Sequence, residues 1–235
     1  MDKVIIETKV LSENDRIAAR LRESRAETGT LAVNLISSPG SGKTLLLEKT
    51  LELLPAGIRA AVLTGDIQTD NDARRLGRYG YPVRQITTAG ACHLDARMVE
   101  NHQFAEALDI LFIENVGNLV CPTSYDLGED AKIVILSVTE GEDKPLKYPG
   151  IFRKAELMIL NKIDLLPYVA FDPQLALDNA RRINPDIQVI ETSATTGAGL
   201  DLWLRWLGRR AATKKAAVQA EKATPEEVEY AVAGN

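Results

Sequence analysis

The eight residues Ser37-Ser38-Pro39-Gly40-Ser41-Gly42-Lys43-Thr44 constrain this chain more than any other stretch. They separate a short apolar run, LAVNLIS (31–37), from a leucine-rich segment, LLLEKTLELL (45–54). The first has the length and composition of a buried strand, the second the pattern of a helix. A strand that turns through a Gly/Ser loop straight into a helix leaves unpartnered backbone N–H groups at the helix N-terminus, which together make an anion site. In such a loop Gly40, Ser41 and Gly42 cradle phosphates. Lys43 reaches the β/γ-phosphates of a nucleoside triphosphate and the Thr44 hydroxyl binds Mg²⁺. Ser37 stands where the usual pattern has its first glycine, a position that tolerates a small residue.

The rest of the chain fits that frame. Apolar runs at 58–64, 83–87, 109–114, 132–138, 156–161 and 187–191 read as further strands, and helical spacing recurs near 71–79, 94–107, 172–183 and 199–210. Near-continuous apolar strands alternating with helices imply an α/β fold: a three-layer P-loop NTPase with a mostly parallel sheet and helices on both faces. Upstream, Ser12 followed by Asp15 resembles a helix cap, and Ile17, Ala18 and Leu21 continue at helical spacing to a stop at Gly29. Residues 1–29 are therefore read as a lead-in segment with a helix over 13–28, residues 30–210 as the nucleotide domain, and the Ala/Lys/Glu-rich 211–235 as a flexible tail or frayed helix.

Two acids are placed to complete a magnesium site. Leu111-Phe112-Ile113-Glu114 is an apolar strand ending in a carboxylate, and Thr64-Gly65-Asp66 ends an earlier one. Glu114 and Asp66 are the expected Mg²⁺ partners beside Thr44. Asp72 is a second candidate in the same switch segment as Asp70, with a helix cap or turn as its plain alternative. The base site is read from Asn161-Lys162-Ile163-Asp164, which follows the apolar Leu157–Leu160. The Asp164 carboxylate accepts hydrogen bonds from guanine N1–H and the exocyclic amine, a donor pair that adenine lacks. Asn161 supports the loop and Lys162 covers the ring. Ser193 and Ala194, after the strand at 187–191, lie where a backbone N–H meets the guanine carbonyl. The expected ligands are GTP and GDP, and the expected chemistry is hydrolysis. With no evident glutamine to orient water and no assignable arginine finger, turnover is expected to be slow without a partner.

Composition bounds what surrounds this machine. With 235 residues, 45% of them hydrophobic, and a net charge of −5, the chain can bury a sizeable core and has no general electrostatic reason to bind nucleic acid or anionic membrane. No stretch approaches the roughly 18 apolar residues of a membrane span, and the first residues lack a signal-peptide core. Two cysteines do not make a disulfide scaffold, so a cytoplasmic location is expected. Those cysteines have another use. Cys92 adjoins His93 in TAGACHLDA, and Cys121 lies seven residues past Glu114, where a P-loop GTPase carries its second switch. Thiolate and imidazole suit Ni²⁺ or Zn²⁺ far better than Mg²⁺. Burial as small hydrophobes is the plain alternative for both cysteines. His102, in a helical stretch, is read as a surface residue.

Together SSPGSGKT, LTGDIQTDNDA, GACHLDA, LFIENVGNLVCP, DLGED, NKIDLL and INPD resemble the HypB family, the nickel-incorporation GTPases of nickel–iron hydrogenase maturation. The resemblance covers most of residues 30–200 and implies several things. These are a homodimer that depends on nucleotide or metal, a Ni²⁺ or Zn²⁺ site at Cys92, His93 and Cys121, accessory maturation proteins as partners, and a hydrogenase large subunit as client. The N-terminal cysteine cluster or histidine-rich tract of some members does not occur in this sequence, so nickel storage is not expected. Serines at 37 and 38 replace the extra lysine that some relatives carry at the loop. Three rivals stand beside it: a urease-type maturation GTPase, which typically has Cys-Pro-His; a cobalamin-enzyme chaperone GTPase, which would leave Cys92, His93 and Cys121 unexplained; and a metal-binding scaffold with a vestigial nucleotide site.

Overall fold

In the computed structural model, which describes residues 2–66 and 71–222, the apolar runs become seven strands. They are β1 (Leu31–Ser37), β2 (Ala60–Asp66), β3 (Val83–Thr87), β4 (Ile110–Glu114), β5 (Ala131–Ser137), β6 (Leu157–Asn161) and β7 (Gln188–Glu191). They hydrogen-bond in the order β3-β2-β4-β1-β5-β6-β7, every pairing parallel. The P-loop fold expected from the sequence is therefore present. Asp70 and residues 223–235 lie outside the described residues.

Strand alternation decides which helix covers which face. On β1, Leu31, Val33 and Leu35 point into one core with α2 (Lys43–Leu53) and α8 (Leu200–Lys222), where Trp203 is fully buried. The Trp203 indole N–H donates to Thr50 Oγ1 at 2.8 Å, so the ring fills the core without an unsatisfied polar atom. Ala32 points to the other face, which α1 (Asp2–Thr28) and α4 (Ala96–Glu100) cover. Farther along that face, α6 (Pro149–Lys154) and α7 (Pro173–Ile183) pack on β5 and β6; two further short helices are α3 (Asn71–Leu76) and α5 (Lys144–Lys147). The strand order reverses around β1, whose neighbours are β4 and β5. Such a switch point opens a crevice at the carboxyl ends of the strands, where ligands of parallel sheets bind. Among the described residues no helix is long and apolar enough to cross a membrane.

Three of the helices read from the sequence differ in extent, and the two short helices over 144–154 are not expected from it. α1 runs through Ser12 instead of starting there; the Ser12 hydroxyl donates back to the Lys9 carbonyl at 2.9 Å, a bond made inside a helix. The helix expected over 94–107 is only Ala96–Glu100. Asp95 caps its start, accepting from the Met98 N–H at 2.7 Å, and the His102 ring meets the Met98 carbonyl at 2.8 Å just past its end. His102 is thus half-buried and engaged, not a plain surface residue. Finally, α8 continues past 210 to Lys222 because two of its lysines reach carboxylates at the strand starts: Lys214 pairs with Asp130 at 2.5 Å and Lys215 with Asp109 at 2.7 Å.

Candidate functional site

The phosphate loop owes its shape to backbone that only glycine takes easily. Gly42 has φ +89, and a Cβ there would stand 2.7 Å from Asn161 Nδ2. That close approach reflects a hydrogen bond: Asn161 Nδ2 donates to the Ser41 carbonyl at 2.9 Å. Asn161 Oδ1 in turn accepts from Thr192 Oγ1 at 3.1 Å and from the Ala194 N–H at 3.3 Å. Lys162, itself at φ +65, donates from Nζ to the Gly40 carbonyl at 2.7 Å. The base loop therefore braces the phosphate loop from the β6 side. The N–H of Ser193 goes to the Ala198 carbonyl at 2.9 Å. Ala194 accordingly supports Asn161 with its backbone N–H, while the Ser193 N–H closes its own turn, so both N–H groups are engaged within the protein.

Lys43, Thr44, Glu114 and Asp66 converge on one cleft of about 450 Å³ at the carboxyl ends of β1, β2 and β4. Glu114 is almost fully buried. Its Oε1 accepts from Thr44 Oγ1 at 2.6 Å, its Oε2 from Thr64 Oγ1 at 3.1 Å, and Lys43 Nζ lies 3.6 Å from Oε1. A buried carboxylate is tolerable only with such partners. Asp66 is half-buried on the cleft wall. Asp72 lines the cleft too, but Arg75 Nη1 holds it at 3.5 Å. The oxygen donors of Thr44, Asp66 and Glu114 are the hard set that Mg²⁺ takes. At the base end, Asp164 Oδ1 is buried without a hydrogen-bond partner. An orphaned carboxylate oxygen is costly, and it fits a ligand that supplies donors.

The Cys/His group comes from two loops on the β3 and β4 side of the sheet. Cys92 and His93 follow β3 (Val83–Thr87); Cys121 opens a single 3₁₀ turn after β4. Cys92 Sγ lies 3.0 Å from Cys121 Sγ and 3.9 Å from His93 Nδ1, and one donor atom of each residue falls within 4.8 Å of the others. Both thiols are free. The Cys92 thiol is pushed above its ordinary range by its bond to the Cys121 sulfur, with burial adding to the effect. Burial lowers the His93 pKa against the opposing pull of Asp95, which favours the neutral imidazole that metals bind. The His93 ring stacks on Tyr125 with centroids 3.9 Å apart. The donors match borderline-soft divalent metals.

Sequence reasoning missed several residues that hold these parts. Glu140 Oε1 accepts from Ser41 Oγ at 2.8 Å and from the Ser137 N–H at 3.1 Å, tying the loop to β5; a carboxylate just past an apolar strand was the available signal. Arg75 lines the phosphate cleft and is held by Glu48 at 2.6 Å. Gly117 lies flat on the phosphate loop: a Cβ would stand 3.2 Å from Pro39 Cα. Asn34 interrupts the apolar LAVNLIS, and that polar break was legible. It accepts from Asn115 Nδ2 at 3.3 Å and donates to Glu129 at 3.2 Å. Asn115 Oδ1 accepts from the Leu94 N–H at 3.2 Å, so the residue after Glu114 touches the residue after His93. The DLGED segment, read only as a resemblance, fastens α1: Arg22 pairs with Asp126 at 2.6 Å.

Comparison with known proteins agrees with this geometry. A family model described as the CobW/HypB/UreG nucleotide-binding domain matches residues 31–191. Hydrogenase maturation factor HypB of Azotobacter chroococcum is 52% identical over 230 residues, covering 96% of this chain and 75% of that protein. The Escherichia coli K12 protein of the same name is 54% identical over 205 residues, covering 86% of this chain and 71% of that protein. Among solved structures, HypB from Helicobacter pylori in complex with nickel has a TM-score of 0.80 at 37% identity, covering 86% of this chain and 96% of that one. With identity of this level over nearly its whole length, the chain belongs to the HypB family of hydrogenase maturation factors.

Proposed function

We propose that this chain is a GTP-hydrolysing metallochaperone that acts in the cytoplasm and helps insert nickel into nickel–iron hydrogenase, with a Cys/His metal site coupled to nucleotide state. One observation carries the reading: Cys92, His93 and Cys121, from two separate loops, meet beside the strand that ends in Glu114. Ni²⁺ or Zn²⁺ is the cargo. Three protein donors per chain leave a coordination position for a second chain, a partner or the client, so the homodimer depends on nucleotide, metal or both. Accessory maturation proteins and a hydrogenase large subunit complete the handover.

In the nucleotide site, Gly40, Ser41 and Gly42 hold the phosphates through their backbone. Lys43 neutralises the γ-phosphate, and Asn161, Lys162 and Asp164 select guanine, with Ser193 and Ala194 supporting them. Thr44, Asp66 and Glu114 would hold Mg²⁺, which neutralises charge on the transferred phosphoryl group. Lys43, freed from Glu114, would turn to the phosphates, and the Thr44 hydroxyl to the Mg²⁺. Arg75, on the cleft wall, is held by Glu48 and Asp72. Its engagement supports slow turnover until a partner or second chain completes the site.

The test is to titrate Ni²⁺ and Zn²⁺ into the GDP form and a non-hydrolysable GTP-analogue form. Different affinities in the two forms are expected. Metal binding with no response to nucleotide, and no GTP turnover, would instead identify a metal-binding scaffold.

A further inference from the structure

The N-terminal helix reaches both segments that carry the metal ligands, through a single side chain. Asn14 is buried, at 6% exposure. Its Oδ1 accepts from the Ala96 N–H at 2.8 Å, three residues past His93. Its Nδ2 donates to the Asp126 carbonyl at 2.9 Å, five residues past Cys121. An asparagine amide offers an acceptor and a donor on opposite arms, and here each arm takes one of the two loops. The consequence reaches the ligands themselves. Tyr125, adjacent to Asp126, stacks on the His93 ring at 3.9 Å. Ala96 opens α4, whose cap Asp95 lies two residues from His93.

The rest of α1 is fastened to the same two places. Ile17, Ala18 and Leu21 share one core with Leu94, Ala96, Val99 and Leu127. Arg25 Nη1 donates to the Leu127 and Gly128 carbonyls at 3.2 and 3.0 Å. The helix thus cannot leave one loop without releasing the other. Within the ligand loops Asn118 makes a second tie, its Nδ2 donating to the Cys92 carbonyl at 3.3 Å and its Oδ1 accepting from the Val120 N–H at 2.8 Å; Asn14 is the tie that α1 supplies.

We propose that α1 is a clamp on the metal centre and that Asn14 is its positioning residue, setting the spacing between the Cys92-His93 pair and Cys121. The inference rests on the reading of those three residues as metal ligands. Asn14 touches no metal; it fixes the backbone from which the ligands project. Residues that orient metal ligands at one remove typically change affinity by about 10–100-fold when removed.

The experiment uses the full chain and Ni²⁺ alone, read by thiolate-to-nickel charge-transfer absorption and by affinity. Asn14→Ala should weaken Ni²⁺ binding about tenfold and shift the absorption band, with GTP affinity unchanged within about twofold. Asn14→Asp keeps the acceptor for Ala96 but loses the donor to Asp126, and should fall between. Ile17→Val loosens the packing of α1 without touching the amide and should leave the band where it is in the wild type. An unchanged band and affinity in both Asn14 variants, or the same shift in Ile17→Val, overturns the clamp. If Asn14→Ala no longer binds GTP, Asn14→Asp decides. If the wild-type chain binds no Ni²⁺, or Cys92→Ala binds as well as wild type, the metal reading fails and the clamp falls with it. Wild-type binding that needs Cys92 but ignores Asn14 removes the clamp alone.

Discussion

Thr44 Oγ1 donates to Glu114 Oε1 at 2.6 Å, which joins the first turn of α2, the helix that follows β1, to the last residue of the neighbouring strand β4. The same carboxylate draws in Thr64 and Lys43. One buried acid therefore organises the groups that the nucleotide must recruit, and its charge is the property to test. Glu114→Gln keeps the shape and removes the charge. GTP turnover should fall on the order of 100-fold, as when a group that stabilises charge in the transition state is lost. Single-turnover kinetics across a Mg²⁺ titration reads this. Turnover at the wild-type level would remove Glu114 from the hydrolytic machinery.

Asp164 Oδ1 is buried without a partner, and it is the group proposed to set the base preference. Wild type should bind GTP far better than ATP, since two hydrogen bonds to a charged acceptor contribute about 3 kcal/mol together. Asp164→Asn should lose GTP and gain xanthosine triphosphate, whose C2 carbonyl accepts from an amide. Competition with a fluorescent guanine nucleotide measures both. Equal displacement by ATP and GTP would refute the assignment.

Asn115 links the two sites, with the Leu94 N–H on its side-chain carbonyl and Glu114 as its chain neighbour. Because Gly117 packs on Pro39, a γ-phosphate that shifts the phosphate loop is expected to shift the segment leading to Cys121. Linkage requires bound metal to change nucleotide affinity by the same factor that nucleotide changes metal affinity. In wild type the two factors should agree, and in Cys92→Ala both should collapse to one. Calorimetric titration in both orders provides the comparison. Metal binding that survives Cys92→Ala intact would return both cysteines to packing.

Asp109 offers a test of stability. Its side chain is nearly buried between Arg59, at 2.9 Å, and Lys215, at 2.7 Å. The Arg59 hydrogen bonds hold its carboxyl well below the usual carboxylate range. A depressed folded-state pKa means that the stability is fully present above the unfolded value, about 3.9, and is lost as pH falls through the folded value. Asp109→Asn should therefore cost on the order of 2 kcal/mol at pH 7, and the gap from wild type should narrow below about pH 4. Urea unfolding at several pH values measures it; a gap that widens on acidification contradicts the ion-pair account.

The sequence by itself determined the strands, the phosphate loop, the base loop and the ligand types. Each of these is a local pattern: apolar runs set strands through burial, and SSPGSGKT and NKID carry their chemistry in consecutive residues. Helix limits were less legible, because Ser12 looks like a cap until the preceding turn accepts its hydroxyl, and α8 runs on only because Asp109 and Asp130 lie within reach of its lysines. What only the tertiary structure decided is which distant groups meet. That Cys92 and Cys121 come within 3.0 Å depends on β3 and β4 flanking β2, a strand order that no local pattern encodes. The roles of Asn14, Asn115 and Glu140 were hidden for the same reason. A buried amide or carboxylate acquires its function from the partners that the fold brings to it, and those partners lie tens of residues away along the chain.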